Sequence, residues 1–202
     1  MILAPGFHPV PDGHLATVVT HLEMRAPPER RPIPETPLTL GPWPDPDPDA
    51  YRALFRAVGA DWLWQSRLAI DDAALTAILH DPGTAILRPL RDGTPVGLLE
   101  LDFRAPRSCE LAFFGLVPGA VGSGAGRWLM DRALTIAWDR PIDRLWVHTC
   151  TLDHPAALPF YRRTGFAVTR QEVEILPDPR LSGLLPRDAA PHVPLALPAA
   201  PS

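Results

Sequence analysis

The chain of 202 residues contains no lysine and no asparagine, and all 19 of its basic residues are arginine. Without lysine there is no Schiff-base nucleophile, no anchor for pyridoxal phosphate and no Walker A loop, whose last glycine is followed by Lys. Cysteine is scarce as well. Cys109 and Cys150 are the whole complement, too few for a disulfide framework, and both stand in apolar, strand-like surroundings that suit a reducing cytoplasm. Excess positive charge is missing: the formal net charge is −4 and the pI about 5.9, so no nucleic acid or anionic membrane is expected as a partner. Long apolar runs are missing too. The opening Met1-Ile-Leu-Ala-Pro-Gly-Phe-His-Pro9 has no charged n-region and no run suited to a signal peptide or membrane helix, which points to a cytoplasmic protein. The length suits one domain over residues 1–202, with room for a sizeable core.

What the sequence does hold is concentrated in Leu111–Met130. An apolar strand breaks at Val117-Pro118-Gly119, passes glycines at 122, 124 and 126, and becomes a helix with apolar residues at 129, 130, 133, 134 and 137. A strand, a glycine loop and a helix leave backbone N–H groups unpaired at the positive end of the helix dipole. That is an anion site suited to phosphate. The third glycine falls one residue early for a dinucleotide fingerprint. Taken alone, the same glycines would serve a tight turn equally well.

A second stretch, Leu145–Phe166, reads as a strand, a short loop, a helix stopped by Gly165 and the start of a new strand. Together the two stretches resemble the GCN5-related N-acetyltransferases, the GNAT superfamily. Val121-Gly-Ser-Gly-Ala-Gly126 is similar to that family's pyrophosphate loop, Arg/Gln-x-x-Gly-x-Gly/Ala. Ala157-Leu-Pro-Phe-Tyr-Arg-Arg-Thr-Gly-Phe166 is similar to its late helix, ending Tyr-x-x-x-Gly-Phe, and the order and spacing agree. The resemblance runs from about Thr84 to Ile175 and is thin before that.

The resemblance implies an α/β fold: a mixed, mostly antiparallel sheet of six to seven strands, splayed between strands 4 and 5, with helices on both faces. It implies acetyl-CoA as co-substrate, no metal, and direct acetyl transfer to an amine, of a small molecule, peptide or protein, in a ternary complex. A catalytically weak acyl-CoA sensor or partner module is the alternative, supported by Val121 standing where the family has Arg or Gln. A tRNA-linked acceptor is disfavoured by the acidic charge. Cofactor contacts are expected at Leu116, Val117, Val121, Gly122, Ser123, Gly124, Ala125, Gly126 and Arg127, and at His154, which replaces a frequent Asn beside the pantetheine arm. Arg162 or Arg163 would reach the ribose phosphate. Tyr161 occupies the position of the general acid that protonates the coenzyme A thiolate. Glu110 resembles the catalytic Glu of some members, and strand alternation would put it on the face of Ala112, Phe114 and Leu116, where apolar neighbours would raise its pKa. Glu100 and Asp102, one strand earlier, are the alternative carboxylates. His148, Cys150, Asp153 and His154 crowd together, but no second ligand cluster exists to complete a metal site.

Ahead of and around this block, Leu15–Met24 is β-branched and bounded by turn residues, a first strand. Residues 25–49 hold nine prolines and read as a long loop of the kind that carries function. Helices are expected over 49–58, with Asp49 as N-cap and Gly59 as stop, and over 71–80. Between them Trp62 and Trp64 suit an acceptor-pocket wall, ordinary helix-to-sheet packing, or a homodimer contact. Residues 84–90 and 95–103 form a hairpin about Arg91-Asp-Gly-Thr94, followed by strands over 108–117, 143–149 and 166–176. The core thus spans about 15–176. The Pro-rich tail 177–202 is expected to be irregular, draped on the core through Leu181, Leu184, Leu185 and Val193.

Overall fold

A computed structural model of the chain describes residues 3–29, 32–122 and 124–197. In chain order the elements are β1 (His14–Met24), β2 (Leu38–Pro42), α1 (Pro48–Gly59), α2 (Asp72–Leu79), β3 (Thr84–Arg91), β4 (Thr94–Pro95), β5 (Gly97–Asp102), β6 (Ser108–Leu116), α3 (Ala125–Trp138), β7 (Arg144–Cys150), α4 (Ala157–Thr164) and β8 (Ala167–Pro177). The strands make one sheet in the order β2-β3-β5-β6-β7-β1-β8, with the two-residue β4 paired to β3 off that path. Every neighbouring pair is antiparallel except β6–β7, which is parallel. The mixed, mostly antiparallel α/β sheet is as expected, with eight strands among the described residues in place of six or seven.

The additional strand comes from within the supposed loop. Leu38-Thr-Leu40 alternates, Leu38 is buried, and β2 pairs with β3 from Leu38↔Arg91 to Pro42↔Leu87. Proline-rich flanks masked it, yet proline is tolerated here because β2 is an edge strand and owes no N–H to an outer neighbour. The start of α1 also differs. Asp47, not Asp49, is the N-cap, its carboxylate accepting from the Asp49 and Ala50 amides, while Pro48 supplies the preset φ of a first helical residue.

The sheet separates two cores. On one face α3 and α4 pack Leu129, Met130, Ala133 and Tyr161 onto Leu22, Leu99, Leu101, Leu111, Leu145 and Val147. On the other, α1 and α2 bring Tyr51, Phe55, Val58, Leu75 and Leu79 onto Leu15, Ile86 and Leu98. Fully buried side chains of this kind contribute roughly 1.5–3 kcal/mol each. Residues 178–197 close the second core without forming helix or strand. Leu185 is buried, Leu184 and Val193 pack beside it, and Arg180 locks the segment by donating to Asp178 and to the Val193 and Pro194 carbonyls.

Strand β1 fills the slot between β7 and β8, running from Val19↔Cys150 to Met24↔Leu145 on one side and from His14↔Pro177 to Glu23↔Ala167 on the other. Strands β6 and β7, by contrast, pair only over Ser108↔Arg144, Cys109↔Leu145 and Glu110↔Trp146. Beyond Glu110 the two part, as expected for strands ending near Val117 and Thr149. Among the described residues no helix is long and apolar enough to cross a membrane.

Candidate active site

A cavity of about 640 Å³ opens where β6 and β7 diverge, with the glycine loop at one end and the tryptophans of the α1–α2 connection at the other. Of the expected cofactor contacts, Leu116, Val121, Gly122, Gly126 and His154 line it, together with Arg163. Val117, Gly124, Ala125 and Arg127 are set back from the wall, and Ser123 lies outside the described residues. Gly122 and Gly124 have φ of +107° and +83°, which a side chain resists. A Cβ on Gly124 would also lie 2.5 Å from the Cβ of Pro34, so the loop between β1 and β2 presses directly on the turn. Helix α3 has Gly124 as its N-cap, with no side-chain cap and no acidic residue in its first turn, an arrangement suited to an external anion. The Val121 side chain is exposed and offers no donor.

Tyr161 lies midway along α4, its ring packed on Phe114, Phe160 and Phe166 while its edge lines the cavity. Helix α4 ends one turn later because Gly165 takes a φ of +118° and the Gly165 and Phe166 amides bond back to the Arg162 and Tyr161 carbonyls. No described residue hydrogen-bonds the Tyr161 hydroxyl. Burial, reinforced by the Asp153 carboxylate, raises its pKa well above that of a free phenol, so it stays protonated and available as a donor.

Asp153 holds the middle of the cavity. Its carboxylate accepts from Thr149 Oγ1 at 2.7 Å, from the Cys150 amide at 3.0 Å and from Trp64 Nε1 at 3.3 Å. Trp64 in turn packs at a tilt against Phe55 and Phe113 and lies over Gly115, where a Cβ would come within 3.2 Å of the indole. Trp62 is gripped between His154 and His192 at ring distances of 5.0 and 5.6 Å. Both tryptophans are half-buried and line the cavity.

Two carboxylates stand elsewhere than expected. Strand β6 bulges at Ala112, since Leu111 faces Leu101 and Phe113 faces Glu100. The extra residue reverses the alternation, leaving Phe114 and Leu116 on the α3–α4 face and Glu110 on the opposite face with Phe113. There its neighbour is polar: Glu110 Oε1 is 3.5 Å from His148 Nδ1. The hydrogen bond and charge of Glu110 raise the His148 pKa against the opposing effect of burial, with Asp153 and Glu174 adding to the rise. His148 lines the cavity and Glu110 stands behind it. Glu100, expected near the substrate, is instead fully buried beneath α1, accepting from the Tyr51 hydroxyl and from Arg67 at 2.6 Å, and it does not reach the cavity. Asp102 is bound to Arg104.

The thiols are poor nucleophiles: burial pushes Cys109 up to about 12 and raises Cys150 also. Among the described residues no group of three or more His, Cys, Asp or Glu is arranged to hold a metal ion. His148 and Asp153 are the functional candidates that sequence reasoning set aside as a thin metal cluster. The cue to their roles was strand parity, with His148 sharing a face of β7 with Trp146 and Cys150.

The family model described as "Acetyltransferase (GNAT) family" matches residues 34–166. Uncharacterized N-acetyltransferases of Mycobacterium bovis and Mycobacterium tuberculosis are 34% identical over 99 residues, covering 49% of this chain and 63% of theirs. Among solved structures, a GCN5-related N-acetyltransferase from Sphaerobacter thermophilus superposes with a TM-score of 0.59 at 17% identity, over 85% of this chain and 53% of that one. An aminoglycoside acetyltransferase from an uncultured soil metagenomic sample gives 0.52 at 17% identity, over 63% of this chain and 87% of that one. At such identities the superpositions speak for the fold. The family match begins after β1 and ends before β8.

Proposed function

Since the chain belongs to the GNAT acetyltransferase family, we propose that it moves an acetyl group from acetyl-CoA directly to an amine, with both substrates bound at once. The single observation that carries this reading is the continuous cavity through the parted β6 and β7, which joins the glycine loop to an aromatic chamber. The pyrophosphate would rest on the backbone of the Gly122–Gly126 turn and the start of α3, with Arg163 at the same mouth. The thioester would lie between β6 and β7, where unpaired strand N–H groups beyond Glu110 can stabilise the tetrahedral oxyanion. Trp62, Trp64 and Phe113 would wall the acceptor.

In the reaction the neutral amine attacks the thioester carbonyl, its proton departs toward the Glu110 side of the chamber, and the C–S bond breaks. Tyr161 then protonates the leaving thiolate. A positioned acid of this kind contributes about 10²–10⁴-fold, while holding both substrates together is worth up to ~7–11 kcal/mol. A reducing cytoplasm suits the two free thiols.

The exposed Val121 favours a second reading, a module that binds acyl-CoA without turnover. Titration calorimetry with acetyl-CoA, followed by thiol release against a panel of primary amines, separates the two. Binding with thiol release for one acceptor class supports the enzyme, binding alone across the panel supports the sensor, and absence of binding removes both.

A further inference from the structure

Glu110 alone does not explain how the proton leaves the amine, because it is not among the residues that line the cavity, whereas His148 stands on the wall. The His148 side chain is 48% exposed against 22% for Glu110, and the two meet at 3.5 Å where β6 and β7 part. We infer that the His148 imidazole takes the proton from the attacking amine and that Glu110 positions it. This rests on the acetyl-transfer reading above.

A carboxylate at Nδ1 favours the tautomer protonated there and leaves the Nε2 lone pair to act as base. As the N–C bond to the acetyl carbon forms, the amine N–H bond breaks and the proton passes to Nε2. The C–S electron pair goes to sulfur, which takes the Tyr161 proton. The imidazolium, stabilised by Glu110, returns its proton to solvent, and Tyr161 recovers its own.

The surroundings fit this role. His148 stacks against Trp146 on its own strand and lies 5.8 Å from the His21 ring of β1. Its charged neighbours are Glu110 from β6, Glu174 from β8 and Asp153 from the β7–α4 loop. The other nearby carboxylate, Glu172 of β8, is bound to His21 at 2.5 Å. With carboxylates on these sides, the pair accepts a proton readily and holds it only to a pH somewhat above that of an ordinary histidine.

Histidine-labelled protein followed by NMR across pH, together with pH profiles of thiol release for an amine the parent accepts, tests this. In the parent, His148 is expected to titrate above ~6.5, and kcat/KM to rise with pH through that same midpoint. Glu110→Gln lowers the midpoint, because the neighbouring negative charge is gone, and moves the kinetic limb down with it. His148→Gln lowers kcat by about 10²–10⁴-fold, abolishes the limb, and leaves acetyl-CoA affinity and the thermal midpoint unchanged. A limb that persists in His148→Gln, or a His148 midpoint indifferent to Glu110→Gln, overturns the assignment alone. A parent that releases no thiol with any amine overturns the acetyl-transfer reading and this inference with it.

Discussion

Glu100→Gln is expected to weaken the fold severely while leaving the chemistry intact. The Glu100 side chain is 0% exposed and its partner Arg67 only 14%. The carboxylate serves two donors, Tyr51 and Arg67, while the guanidinium also lies 5.0 Å from the Phe113 ring and keeps a buried Nε with no partner among the described residues. Burial first, then the Glu100 charge, raises the Tyr51 pKa well above its ordinary value, so the phenol donates at any working pH. Glutamine keeps the shape but removes the charge and turns an NH₂ group toward one of the donors. Breaking one side of a buried pair costs ~3–5 kcal/mol, a large part of a total near 5–15 kcal/mol. With a urea slope of ~2–3 kcal/mol per molar for a chain of this size, the unfolding midpoint should fall by about 1–2.5 M. Replacing both partners, Glu100→Leu with Arg67→Met, should recover most of the loss, because no stranded charge remains. A single variant that loses less than about 1 kcal/mol would show that the buried pair is not a structural element. Collapse of kcat at unchanged stability would return Glu100 to the substrate side, where the sequence had placed it.

Gly124→Glu should raise the acetyl-CoA dissociation constant at least tenfold, about 1.4 kcal/mol, since it imposes a side chain at φ +83°, meets Pro34 and sets a carboxylate at the phosphate site; unchanged calorimetry would refute the loop assignment. Tyr161→Phe should cut turnover about 10²-fold or more with acetyl-CoA binding retained, and with little change in thermal midpoint because its hydroxyl has no partner among the described residues to lose. Burial pushes Asp178 up, but the bonds from Arg180 and the amides of Arg180 and Ala196 hold its pKa below the usual carboxylate value. Its contribution is therefore complete above ~3.9 and lost as pH falls through its lower folded value. Asp178→Asn should flatten acid-induced loosening of residues 178–197, read by hydrogen exchange; an identical acid profile would count against the lock.

Much of this was legible in the residues because local rules and tertiary context agreed. Gly122 and Gly124 before α3, Gly165 at the end of α4 and Gly93 in the hairpin each take a positive φ that glycine adopts most readily. What escaped did so for identifiable reasons. Strand β2 is short, flanked by proline and stabilised by its β3 partner rather than by its own propensity. The bulge at Ala112 leaves no signature in Glu110-Leu-Ala-Phe-Phe114, yet one unpaired residue carried Glu110 to the opposite face. Glu100 alternates like a solvent- or substrate-facing residue. Only the distant Tyr51 and Arg67 make it a core group.

The two ends of the cavity draw on different parts of the chain. The residues around the glycine loop and α4, and the pair Glu110 and His148, fall inside the stretch matched by the family model. His21, Glu172 and Glu174, which surround that pair, come from β1 and β8 outside it. Strand β1 faces β7 through His21↔His148 and faces β8 through His21↔Arg170, so His21 sits opposite His148 from a strand the family match does not include. On the proposed reading, the glycine loop meets a pyrophosphate, whose charge does not vary with the acceptor. The proposed proton-accepting end has no such constant partner, since amines differ in charge and reach. The charges around His148 therefore come from both parts: Glu110 and Asp153 from inside the matched stretch, and Glu174 from the last strand.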